Sequence, residues 1–167
     1  LVIVLLSCVQ AKAQEVLLPF GQLSKQPWSA RYFYAPNDGD KPDSMWYSVD
    51  FDDSGWGLLN DPISSSYGLS YKETIWSQTY TSYWVRRHFT VSSLCNFVYL
   101  YTMHDDECII YLNGIEIYHS TDYHVVPNYS TILLSEEQKT LLHTGDNVIA
   151  VFVKDVGGQS FMDFGLY

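Results

Sequence analysis

Charge is scarce in this sequence. Asp, Glu, Lys and Arg make up 17% of its 167 residues, below the roughly 25% of an average globular domain. Basic residues are the scarcer kind: 9 Lys and Arg stand against 19 Asp and Glu, a formal net charge of -10. Such a surface repels phosphate backbones and anionic lipid, which argues against nucleic acid and membrane-surface partners. Neutral glycans and divalent cations stay compatible with it. The apolar run at residues 1–9 is too short to span a bilayer, which needs ~20 residues. Catalytic signatures are missing as well. The chain has no Gly-x-Ser-x-Gly elbow, no His-Glu-x-x-His helix, no phosphate-cradling glycine loop and no Cys-x-x-Cys pair.

Cysteine is nearly absent, with three residues. Cys8 falls in the opening apolar run, which is followed by Ala11-Lys12-Ala13, small residues at the positions a signal peptidase reads. Residues 1–13 are therefore expected to be the tail of a secretory signal peptide, and residues 14–167 a single exported domain. The competing reading makes Cys8 a lipidated residue; both imply export. Cys95 and Cys108 then remain. Strands over residues 97–103 and 108–112, joined near Asp105 and Asp106, put these two at opposite ends of a strand. At about 3.3 Å per residue they lie roughly 20 Å or more apart, against the 7 Å limit of a disulfide. Both are expected to be free thiols.

Aromatic residues fill the place of charge: 14 Tyr, 8 Phe and 5 Trp. They suit the half-buried face of a pleated sheet, and an all-β class follows. Beyond the signal, one short segment reads as helix, residues 135–142, with Ser135 as its cap and Glu136 and Glu137 in the first turn. Elsewhere apolar residues recur with period two. The first half is loop-rich, with short strands expected over residues 29–34 and 46–49. Residues 83–89, 97–103, 108–112, 115–118, 148–153 and 161–167 give stronger strand patterns. Asn113-Gly114 is a hairpin turn signal, because both central residues of a type I′ turn need φ > 0. Residues 108–112 and 148–153 are apolar on both faces and should be central strands. Many short strands with long connections describe a β-sandwich.

Four segments occur in order: Phe51-Asp52-Asp53-Ser54-Gly55-Trp56, Tyr83-Trp84-Val85-Arg86-Arg87-His88-Phe89, residues 104–114 from His104 through Asn113-Gly114, and Gly145-Asp146-Asn147-Val148-Ile149-Ala150-Val151. The series resembles the galactose-binding-like jelly-roll domains, especially the sugar-binding domain of family-2 glycoside hydrolases and accessory modules of secreted bacterial polysaccharide-degrading proteins. The resemblance covers residues 28–167. It implies a jelly-roll β-sandwich standing beside another domain, which binds a glycan or calcium through loops or packs on its neighbour. It carries no universal binding motif.

Candidate binding residues come from three loops. Asp105 and Asp106, between two apolar strands, could ligate calcium or hydrogen-bond sugar hydroxyls, or could hold the corner of the sandwich. Trp76 and Tyr80 lie among the polar spacers Ser77, Gln78, Thr79 and Ser82, which suggests a surface loop whose rings stack on a pyranose; simple packing is the alternative. Tyr123 and His124 occupy a long connection over residues 120–130. The acidic loop at residues 37–43 has oxygen ligands but lacks EF-hand spacing, and a solvated turn accounts for it. No catalytic residue stands out. The expected role is a non-catalytic carbohydrate-binding module. A module that packs on a neighbouring domain is the alternative, and a glycosidase drawing on Asp105 a weaker one.

Overall fold

The computed structural model describes residues 16–19, 21, 25, 28–36, 41–65, 69–122 and 128–167. The expected signal segment and the candidates Tyr123 and His124 lie outside the described residues. The strands are β1 (Trp28–Pro36), β2 (Gly57–Asp61), β3 (Ile63–Ser64), β4 (Thr74–Ile75), β5 (Thr81–Val91), β6 (Tyr99–Asp105), β7 (Glu107–Leu112), β8 (Ile115–Ser120), β9 (Ser130–Leu133), β10 (Gly145–Lys154) and β11 (Phe161–Leu166). A single-turn helix, α1 (Glu136–Lys139), precedes β10.

These form two sheets, one of six strands in the order β2-β1-β5-β10-β7-β8 and one of five in the order β4-β3-β11-β6-β9. Every pairing except β3 with β4 is antiparallel. The fold is an all-β sandwich.

Alternation along the central strands explains the layering. Tyr83, Val85, Phe89 and Val91 of β5, Cys108, Ile110 and Leu112 of β7, and Ile149, Val151 and Val153 of β10 enter the main core between the sheets. Their neighbours in sequence point the other way. Trp84, Ala150, Tyr111 and Phe152 join Trp46, Phe33, Tyr47, Phe51 and Trp56 in a second apolar cluster on the outer face of the six-stranded sheet. A strand apolar on both faces needs cover on both. Here residues 41–56 lie across the outer face and supply it.

That segment corrects one expectation. Residues 46–49 are a run of turns rather than a strand, closed by bonds from Trp46 N–H to the Asp43 carbonyl (3.0 Å) and from Ser48 N–H to the Met45 carbonyl (2.9 Å). The aromatic residues that suggested a strand are there to cover a sheet. Strands β2, β3, β4 and β9 were absent from the sequence pattern. They are short or largely exposed, so little alternation marks them.

The other devices fall where expected. Asn113 and Gly114 sit at φ 48° and 86° in the turn between β7 and β8, and the Asn113 side chain accepts from Val148 N–H (2.8 Å) and donates to the Leu141 carbonyl (2.8 Å). Ser135 caps α1 reciprocally with Gln138, but the helix stops after Lys139 and Leu142 turns into the core. Cys95 and Cys108 are not joined in a disulfide, and burial pushes the Cys108 thiol well up from its ordinary value.

Candidate functional site

The Asp105–Asp106 segment is where the chain changes sheets. β6 belongs to the five-stranded sheet and β7 to the six-stranded one, with Asp106 alone between them. The peptide joining the two residues is cis. Asp106 accepts from Val156 N–H (2.7 Å) through its carboxylate and donates its own N–H to the Lys154 carbonyl (3.0 Å). Its carbonyl lies 2.7 Å from Nδ1 of His104, whose Nε2 is 2.9 Å from the Tyr118 hydroxyl. The neighbouring Asp155 is fully buried and accepts from Tyr80 N–H (2.7 Å).

Asp105 is 8% exposed. Burial, then the negative charges of Asp106 and Asp155, pushes its carboxyl up to about 7. These acids tie three loops together at one end of the sandwich. Among the described residues no three His, Cys, Asp or Glu side chains converge in a group that could hold a metal ion.

Trp76 departs from the surface-loop expectation. It is 2% exposed, its ring packs edge-on against Tyr83 at 4.7 Å, and its Nε1 donates to the Thr81 hydroxyl (2.8 Å). The polar spacers Ser77, Gln78 and Thr79 are exposed, but the ring turns inward ahead of them. A buried indole with its N–H satisfied is a packing residue. Tyr80 is 60% exposed, as the loop reading expected, and holds a left-handed φ of 58°. The structure therefore does not bring the paired rings of Trp76 and Tyr80 onto one surface.

A groove that the sequence did not single out lies on the outer face of the six-stranded sheet. It encloses about 340 Å³. Its floor is Trp84 of β5, Phe152 of β10, and Ile109 and Tyr111 of β7, with Trp46 from the overlying segment as one wall. Lys41, Ser82, Glu107 and Lys154 supply polar groups. Trp46 meets Tyr111 edge-on at 5.6 Å, and Tyr47 stacks on Tyr111 at 4.4 Å with planes 9° apart. The volume falls at the lower end of the range for small-ligand sites, and the lining mixes aromatic rings with four polar side chains. The one sequence signal for it is the apolar outer face of residues 108–112 and 148–153, which a central strand position equally explains.

Beneath the same segment Arg86 is fully buried. Its Nε donates to Asp53 (2.8 Å), and its terminal nitrogens donate to the carbonyls of Trp46 (2.6 Å), Ser48 (3.0 Å) and Phe51 (3.5 Å). Asp53 also lies 2.9 Å from Nε2 of the exposed His88. Burial pushes the Asp53 carboxyl up, but the hydrogen bonds and charges of Arg86 and His88 outweigh it and leave it below its ordinary value. A second acid pair, Asp61 with Asp163, is fully buried. Asp163 accepts from the Tyr129 hydroxyl and from Gly21 N–H (2.9 Å). Burial, then the adjacent Asp163, raises Asp61 well above the usual carboxylate range, with the charge of Arg87 opposing the shift.

Two mostly antiparallel sheets, a sheet-switching corner and a covered outer face together define an all-β sandwich. No protein-family model matches the chain, and no curated protein matches it. Solved structures do. The chain is similar to a beta-glycosidase from Bacteroides vulgatus, with TM-score 0.54 and 18% identity over 85% of this chain and 20% of that one. It is similar also to a glycosyl hydrolase family 2 member from Bacteroides cellulosilyticus DSM 14838 (TM-score 0.51, 17% identity, 84% of this chain and 20% of that one). A third is a beta-glucuronidase from an uncultured Clostridium (TM-score 0.51, 13% identity, 92% and 30%). The chain thus spans a fifth to under a third of these three proteins. The likeness is one of fold: a sandwich domain resembling the sugar-binding domain of family-2 glycoside hydrolases.

Proposed function

We propose that this domain is a non-catalytic carbohydrate-binding module of an exported bacterial protein, and that a sugar ring lies in the groove between Trp46, Trp84, Tyr111 and Phe152. The groove itself carries the proposal. Aromatic faces stack on the apolar face of a pyranose, and side chains such as Lys41, Ser82, Glu107 and Lys154 hydrogen-bond its hydroxyls. A neutral glycan also avoids the repulsion that a net charge of -10 imposes on anionic partners. Export rests on the apolar run and small-residue pattern at the start of the sequence. Affinity electrophoresis through plant and mucin polysaccharides tests binding. Retention of the wild type, lost in Tyr111→Ala, supports it; no retention by any glycan removes it.

A second proposal, a module that packs on a neighbouring domain, draws on the opposite end of the sandwich. There Leu94, Phe97 and Leu133 are exposed, Phe97 by 64%, close to Tyr99, Tyr101 and Tyr167. Exposed apolar clusters of this kind commonly mark contact surfaces. The solved structures of similar fold are several times longer than this chain, which leaves room for such a neighbour in them.

A further inference from the structure

The groove exists only because residues 41–56 lie over the sheet, and that segment contains no strand to hold it there. Its own backbone bonds are local. Trp46 to Asp43, Ser48 to Met45, Phe51 to Ser48 and Trp56 to Asp53 each close a four-residue turn. Local turns fix the shape of a segment but not its position over the sheet. Beside the His88–Asp53 contact and the bond from Arg31 Nη1 to the Trp56 carbonyl (3.3 Å), the main polar link to the sheet is the Arg86 guanidinium. It rises from the middle of β5, opposite the small Ala150 of β10, and reaches a side chain and three carbonyls spread over residues 46–53. The Phe51 ring lies 5.3 Å from its central carbon. A planar fork with five donors can hold several acceptors at once in fixed directions, which a lysine ammonium cannot.

We propose that Arg86 is the positioning residue of the groove: by tying Asp53 and the carbonyls of Trp46, Ser48 and Phe51 to β5, it sets the Trp46 wall against Tyr111 before any ligand arrives. This rests on the proposal that the groove binds a glycan. Preorganisation of this kind raises affinity by removing the ordering cost from the binding step. Arg86 touches no ligand; it acts through Trp46. The aromatic contacts between Trp46, Tyr47 and Tyr111 then refine a position that the guanidinium has already set.

Arg86→Lys keeps the charge and loses the fork. Amide hydrogen exchange, read by mass spectrometry on wild type and variant, follows residues 45–53 and, as the reference, β10. The expected result is exchange in residues 45–53 faster by about tenfold or more, with β10 as protected as in wild type. Affinity for whichever polysaccharide retains the wild type should fall by about tenfold, measured where both proteins are fully folded. Unchanged exchange in residues 45–53 overturns the proposal, and so does unchanged affinity. A purely global loss of stability would raise exchange in β10 equally and would also overturn it. If Arg86→Lys does not fold, Asp53→Asn, which removes the counter-charge and leaves the three carbonyls, is judged by the same two readouts, with a smaller change of the same sign expected. If the wild type binds no polysaccharide, the glycan proposal fails, while the exchange measurement still upholds or overturns the clamp.

Discussion

The corner at Asp105–Asp106 and the groove on the outer face use polar residues in opposite ways. At the corner, side chains of the kind that make active sites turn inward: Asp106 and Asp155 accept backbone N–H groups, and Asp105 is nearly covered. On the outer face, the buried polar group is Arg86, and its work is to hold aromatic rings in place at the surface. A cluster of acids is therefore a poor guide to a site when backbone donors lie within reach, because satisfying those donors stabilises the fold. An open groove lined by rings has no such internal use.

The largest effect expected from breaking this contrast is at Asp53. Asp53→Ala leaves the buried Arg86 guanidinium without its counter-charge, and breaking such a pair costs about 3–5 kcal/mol. The melting temperature should fall by about 10 °C in a thermal denaturation scan. A change of under about 1 kcal/mol would mean that the three carbonyls alone hold the guanidinium.

Next in size is Tyr111→Ala. Tyr111 is half-buried, forms part of the groove floor and supports both Trp46 and Tyr47. Removing it should weaken retention by a bound polysaccharide by about tenfold or more, with the sandwich still folded, since loss of a stacking ring costs ~1–2 kcal/mol. Retention equal to wild type would move the site off this face.

Much of the sandwich was legible in the sequence because period-two alternation in β5, β6, β7 and β10 reports directly on which face is buried. The Asn113-Gly114 turn was legible for a local reason, its two positive φ angles. The groove was not, because it depends on a long-range event. Nothing in the spacing of Trp46 says that a turn-rich segment folds back over a sheet formed by residues 81–154. Arg86 shows the same limit. Period two puts it on the same face of β5 as Trp84, but its partners lie 33 to 40 residues away. Trp76 failed for the converse reason, since polar neighbours describe the loop and not the direction of one ring.

The corner makes its own prediction through pH. Asp105 has its folded value raised to about 7, against an unfolded value near 4. Between those values the folded state holds a proton that the unfolded state has released. Its contribution to stability therefore declines as pH rises from about 4 to about 7, and the cost is fully present above that. Asp105→Asn removes the titration and keeps the shape. Melting curves of variant and wild type should agree near pH 4, and the variant should become progressively the more stable up to pH 8. A constant difference across that range would show that Asp105 does not change protonation on folding.

The smallest effect expected is at Tyr80, and it bears most directly on which region binds. Its backbone sits at φ 58°, a region that costs a residue with a Cβ ~1 kcal/mol and glycine almost nothing. Its ring is mostly exposed, so deleting it forfeits little burial. Tyr80→Gly should thus change stability by less than about 1 kcal/mol, because relief at the backbone offsets the lost ring and the greater freedom of the unfolded chain. The Asp155 carboxylate can still accept the N–H of residue 80. Because Tyr80 is not among the residues lining the groove, polysaccharide retention should stay within about twofold of wild type. A tenfold loss at Tyr80, with retention intact in Tyr111→Ala, would reverse the contrast and place the binding surface on the corner loops.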